Sequence, residues 1–135
     1  MAGTTTPTGV REEERDVWHD ADVLYFIQTH KYHVGQSAKM RDRIYRRAKS
    51  YRWMGDGVMK VLQAGAIVVV PRPTDRQGIV INTHQGMGHF GVQRVLDRLQ
   101  KNYWWRSRGD MVVAIIRACH PCARVKAGFR EFGKE

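Results

Sequence analysis

A chain of 135 residues, 42% of them hydrophobic, is long enough for one domain, or a small domain with an attached subdomain, and can bury a core without covalent staples. Its formal charge of +10 is unevenly spread: residues 1–22 hold six of the 13 acids, so residues 23–135 carry 21 basic and seven acidic side chains, a surplus of +14 that favours a polyanionic partner, most commonly nucleic acid. The longest apolar run, Ala64 to Val70, is too short to span a bilayer, and the N-terminus lacks the basic-then-apolar layout of a secretory signal, so the reading is an intracellular protein with no membrane partner.

Residues 1–14, rich in Thr, Pro and Gly and then in Glu, read as a disordered leader. From Asp16 to about His30, Val17, Ala21, Leu24 and Ile27 recur at spacings of three and four, with Trp18 and Tyr25 beside them, which predicts one amphipathic helix. Ser37 is the expected N-cap of a second helix through about Arg52, with Met40, Ile44, Ala48 and Tyr51 as its buried stripe. Its other faces carry Lys39, Arg41, Arg43, Arg46, Arg47 and Lys49. The period then changes. Turn signals at Gly55-Asp56-Gly57 and Ala64-Gly65, between β-branched runs closed by Pro71 and Pro73, predict a small antiparallel meander over residues 52–71. Thr74-Asp75 is the expected cap of a short helix to about Thr83, leading into a glycine hinge. A helix from about Gly91 to Lys101 carries Val92, Val95, Leu96 and Leu99 on one side; after the Tyr103-Trp104-Trp105 joint, another from about Ser107 to Ala118 delivers Cys119. The fold class is therefore α+β, mainly α: a leader at 1–14, an N-terminal extension at 15–73, a helical bundle at 74–126 and a tail at 127–135.

Two cysteines in a reducing compartment point to ligands or catalytic thiols rather than a bridge. His84 and His89 are separated by four residues, 29 residues follow, and Cys119 and Cys122 are separated by two. That spacing suits a tetrahedral zinc site assembled from two distant pieces of chain, since zinc accepts neutral imidazole and thiolate and a Cys-x2-Cys knuckle presents both sulfurs to one ion. Gly86, Gly88 and Gly91 bracket His89, where the hinge must turn its imidazole back toward His84. Four protein ligands leave no open position, so the metal would be structural. Two other readings stay open. One is a redox pair, although redox Cys-x2-Cys motifs stand at a helix N-terminus and here a helix runs into the motif. The other is a set of ordinary, unliganded His and Cys side chains. His120 lies between the cysteines and reads as solvent-exposed; His19, His30 and His33 read as ordinary surface or core residues.

His84, Gly88-His89, Gly91, Arg94, Leu96, Leu99, Tyr103-Trp104-Trp105, Cys119 and Cys122, in this order, closely resemble the zinc-binding N-terminal domain of retroviral and Gypsy-type retrotransposon integrases. The resemblance is strongest over residues 74–126, and the stretch from Asp42 to Val61 is similar to the basic helix and hairpin that precede this domain in Gypsy-type integrases. It implies a zinc-stabilised bundle of helix-turn-helix type that helps integrases multimerise and engage element DNA ends, hence Zn2+ as cofactor, DNA and self-association as partners, and a nuclear location. Integrases of this family cut and join DNA with three carboxylates of a separate RNase-H-like domain. The acids here after Asp22 are Asp42, Asp56, Asp75, Asp97, Asp110, Glu131 and Glu135, scattered over helix faces and turns rather than clustered as two-metal phosphoryl transfer requires. The expectation is a non-catalytic module, either part of a longer polyprotein or a stand-alone descendant that kept the binding half. The alternative is a domesticated adaptor whose bundle binds a protein partner.

Two basic patches are the candidate nucleic-acid contacts: Arg43, Arg46, Arg47 and Lys49 on the second helix, and Arg94, Arg98, Lys101, Arg106 and Arg108 with Arg124, Lys126 and Arg130. Such contacts supply mainly sequence-independent affinity. Tyr103, Trp104 and Trp105 are of the type that stacks on unpaired bases, but a joint between amphipathic helices is expected to bury its aromatics.

Overall fold

The computed structural model describes residues 15–88 and 91–119, and the chain divides into two compact units between Val70 and Pro71. The expected leader and tail lie outside the described residues. The architecture is α+β and mainly α, with five α-helices and one three-stranded antiparallel sheet among the described residues.

The first unit opens with two aspartate caps. Asp16 accepts the Trp18 amide at 3.0 Å and starts a 3-10 turn, Val17–His19; Asp20 ends that turn and accepts the Val23 amide at 3.4 Å, starting helix α1, Ala21–Thr29. The single helix expected from Asp16 is thus broken at Asp20, because a short carboxylate offers the backbone a local bond that competes with continuing the helix. The break shifts the phase. Val17, Val23 and Ile27 are buried, whereas Ala21 is exposed and Leu24 only half-buried. α1 ends at His30, which is left-handed (φ 62°) and donates its amide to the Phe26 carbonyl at 2.7 Å.

Helix α2, Ala38–Ala48, starts at Ser37, whose hydroxyl accepts the Met40 amide at 3.1 Å. It stops short of Arg52 because Tyr51 begins a strand; Ile44 and Ala48 are buried from the helix and Tyr51 from the sheet, while Met40 is exposed. Strands β1 (Tyr51–Met54), β2 (Gly57–Val61) and β3 (Ile67–Val70) pair in that order, with Trp53 opposite Val58 and Met59 opposite Val69. Gly55 at φ 65° makes the first turn, a conformation that a side chain would strain. The period of two puts Tyr51, Val58, Val68 and Val70 on the buried face and leaves Met54, Ile67 and Val69 exposed on the other.

Two long-range ties close this unit. The Trp18 indole donates to the Val70 carbonyl at 2.9 Å and meets Trp53 edge-on, centroids 6.1 Å apart. The Arg47 Nε lies 3.0 Å from the Asp20 carboxylate, with those side chains 12% and 3% exposed, and the same guanidinium donates to the Arg15 carbonyl.

The second unit is three helices packed pairwise: α3 (Pro73–Gly86), α4 (Val92–Gln100) and α5 (Arg108–Arg117). Thr74 and Asp75 do not cap α3. Pro73 occupies its first turn, where a missing N–H costs nothing, with Arg72 at the cap position and Asp75 inside the first turn. The helix also runs past Thr83 to Gly86, so His84 is helical rather than part of a hinge. Val80, Val95, Leu99, Trp105, Val112 and Ile116 form the core, with Val92, Leu96 and Tyr103 against its rim. α5 begins after Ser107, which is left-handed (φ 65°) and makes no side-chain cap.

Candidate functional site

α3 brings His84 one turn beyond Val80 on the same face, and the imidazole is 2% exposed. α5 ends with Cys119, half-buried, its amide donating to the Ile116 carbonyl at 3.1 Å. Val80 and Ile116 belong to one cluster and α3 packs on α5, so both residues border the same apolar core. A nitrogen and a sulfur donor at a desolvated edge fit zinc, which takes neutral imidazole and thiolate and is held more firmly where water is excluded. The other expected ligands, His89 and Cys122, lie outside the described residues, as does His120. Among the described residues no three His, Cys, Asp or Glu side chains gather as a metal-binding group.

His33 stacks on Tyr25 at 3.9 Å and His30 meets Phe26 edge-on at 6.2 Å. His19, in the opening 3-10 turn, is exposed.

The candidate nucleic-acid residues separate into outward and inward groups. Arg46 and Lys49 on or just after α2, and Arg94, Arg98, Lys101 and Arg106 on and after α4, are exposed. Arg46 pairs with Asp42 one turn earlier at 3.0 Å, a contact that solvent weakens to little. Arg43 is half-buried, with a guanidinium nitrogen 3.0 Å from the Met40 sulfur. Arg47 is turned inward to Asp20, and Arg108 is half-buried with its guanidinium donating to the Trp105 carbonyl at 3.3 Å. Burial lowers the Arg108 pKa below its ordinary value. Both have fold contacts that the spacing of charges along a helix does not reveal. Arg124, Lys126 and Arg130 lie outside the described residues. In the aromatic joint, Trp105 is a core residue at 2% exposure and Tyr103 and Trp104 are half-buried.

Two features had no linear signal. Arg76 is buried under the Trp105 ring, 5.7 Å from its centroid, and donates to the Pro71 carbonyl at 3.0 Å, so a basic residue serves the core of the second unit. A groove of about 290 Å³ in the first unit is lined by Phe26, Tyr45, Tyr51 and Trp53 from three different elements, with Lys49 and Arg52 at its side. No helix among the described residues is long and apolar enough to cross a membrane.

A family model described as the integrase zinc binding domain matches residues 71–128. The match begins at the residue where the second unit begins and takes in all three helices of that unit, His84, His89, Cys119 and Cys122. Residues 71–128 therefore match the integrase zinc-binding domain family, whose metal is Zn2+.

Proposed function

We propose that this chain is a non-catalytic, DNA-engaging and self-associating module of a Gypsy-type retrotransposon integrase, working in the nucleus, with one zinc held by His84, His89, Cys119 and Cys122. The buried His84 beside the α3–α5 core, inside the matched segment, is the observation that carries it. Bound there, zinc would supply a structural cross-link between two distant pieces of chain. His84, fixed by its helix, orients one donor, and the apolar core keeps water from that imidazole. Domain limits of 15–73 and 74–126 go with this reading, and the division into two compact units between Val70 and Pro71 supports a boundary close by.

DNA engagement rests on the exposed Arg94, Arg98, Lys101 and Arg106 and on Arg46 and Lys49. Affinity for duplex DNA should fall steeply between about 50 and about 200 mM salt, with a log–log slope of about −0.9 for each phosphate neutralised. The paired reversals Arg94→Glu and Arg98→Glu should flatten that slope without releasing zinc, as read by anisotropy titrations alongside metal analysis. Undetectable or salt-indifferent DNA binding would overturn it.

A second reading, a protein-interaction adaptor, is favoured by one observation: the outer sheet face exposes Met54 at 54% and Ile67 at 51%. An adaptor would keep its partner in high salt and be indifferent to the arginine reversals.

A further inference from the structure

The groove in the first unit combines two chemistries that recur where nucleic acid strands are held without base pairing. Its floor is Ile27 and Ala48, both buried. Around it stand Phe26 and His30 from the end of α1, Tyr45 from α2, and Tyr51 and Trp53 from β1, an edge strand of the sheet. Phe26 is the pivot of this aromatic set. Tyr45 meets it edge-on at 6.2 Å and 76°, His30 at 6.2 Å and 75°, and Tyr32 stacks on it at 4.8 Å. Tyr45 is nevertheless 54% exposed, so one ring of the set offers much of its surface to solvent.

The charges on this groove all have one sign. Lys49 and Arg52 line it, and no acidic side chain does. Arg52 spends one guanidinium nitrogen on the Lys49 and Tyr51 carbonyls, each at 2.8 Å, which fixes the plane of the fork at the groove wall. Among the described residues, that guanidinium makes no other polar contact and the Lys49 ammonium makes none. A volume of about 290 Å³ is at the small end of ligand pockets, suited to one flat ring system rather than to a peptide side of several residues.

We infer that this groove holds one unpaired nucleotide of a single strand, its base against the rings of Tyr45, Phe26 and Trp53 and its phosphates on Lys49 and Arg52. Aromatic faces accept any base and the cations follow the backbone, so the site is tolerant of sequence. This deepens the DNA-binding reading and rests on it.

The test uses the full zinc-loaded chain and two labelled single strands of equal length and charge: oligodeoxythymidylate, and a strand in which every base is replaced by an abasic spacer. The thymidylate strand should bind about tenfold or more tightly, the scale of one base stacked on an aromatic side chain. Tyr45→Ala should erase the difference while Tyr45→Phe keeps it, and thermal melts should show both variants folded, since this side chain is half outside the fold. Equal affinity of the wild type for the two strands overturns the groove proposal and leaves DNA binding through phosphates standing. Equal weakening of both strands by Tyr45→Ala overturns it too. No binding of either strand, or of duplex DNA, at low salt overturns the groove and the parent reading together.

Discussion

Asp20 holds three parts of the first unit at once. It closes the Val17–His19 turn, receives the first amides of α1, and faces Arg47 across 3.0 Å in a setting where both side chains are nearly dry. Removing one member of such a pair leaves the other charge buried and uncompensated, which costs about 3–5 kcal/mol. Asp20→Ala or Arg47→Met should therefore lower urea stability of the first unit by that order. The double variant Asp20→Ala, Arg47→Met should lose less than the two single losses together, because partners in contact are not additive. Additive losses would show that Arg47 acts through its Arg15 contact alone. Ser107 offers the opposite case. It is exposed and left-handed and its side chain caps nothing, so Ser107→Gly should relieve a backbone cost of about 1 kcal/mol and raise the melting temperature of the second unit.

Among elements, the readable ones were those whose cue is local. Ser37 before a helical stripe, Gly55 between β-branched runs, and Val95 and Leu99 at a spacing of four all stand where the pattern put them. What the pattern missed depends on partners far along the chain. Arg47 and Arg108 count as surface charge until Asp20 and the Trp105 carbonyl come to meet them. The α3 start differs from the expected one because Thr74-Asp75 and Pro73 both signal a helix start, and proline's fixed φ already suits the first turn. The candidate metal site is legible in the spacing and the family resemblance, whereas the helical setting of His84 depends on packing. If zinc binding is part of folding, at roughly 10–16 kcal/mol apparent in small zinc modules, a chelator should melt α3, α4 and α5, with far-ultraviolet circular dichroism falling accordingly. Cys119→Ser should do the same without chelator. His120→Ala should not. A metal-free chain with full helicity would defeat the prediction.

For the molecule as a whole, each unit has buried apolar residues of its own among the described residues. Tyr51, Val58, Val68 and Val70 serve one, and Val80, Leu99, Trp105 and Ile116 the other. A fragment starting at Pro71 retains the Arg76 bond to the Pro71 carbonyl as well as the whole core around Trp105, and should fold with zinc as an independent species. Limited proteolysis followed by mass measurement should show that boundary, and a fragment that stays unfolded in zinc would mean the cores are interdependent.

The Trp18 indole bond to the Val70 carbonyl joins positions 52 residues apart, the first turn of the first unit to the last strand residue of it. During synthesis, then, the early helices wait for the meander: α1 and α2 emerge well before any partner for Trp18 exists. A ribosome halted before residue 70 should carry a nascent chain that proteases still cut, and one halted far enough downstream for β3 to clear the exit tunnel should carry a resistant one.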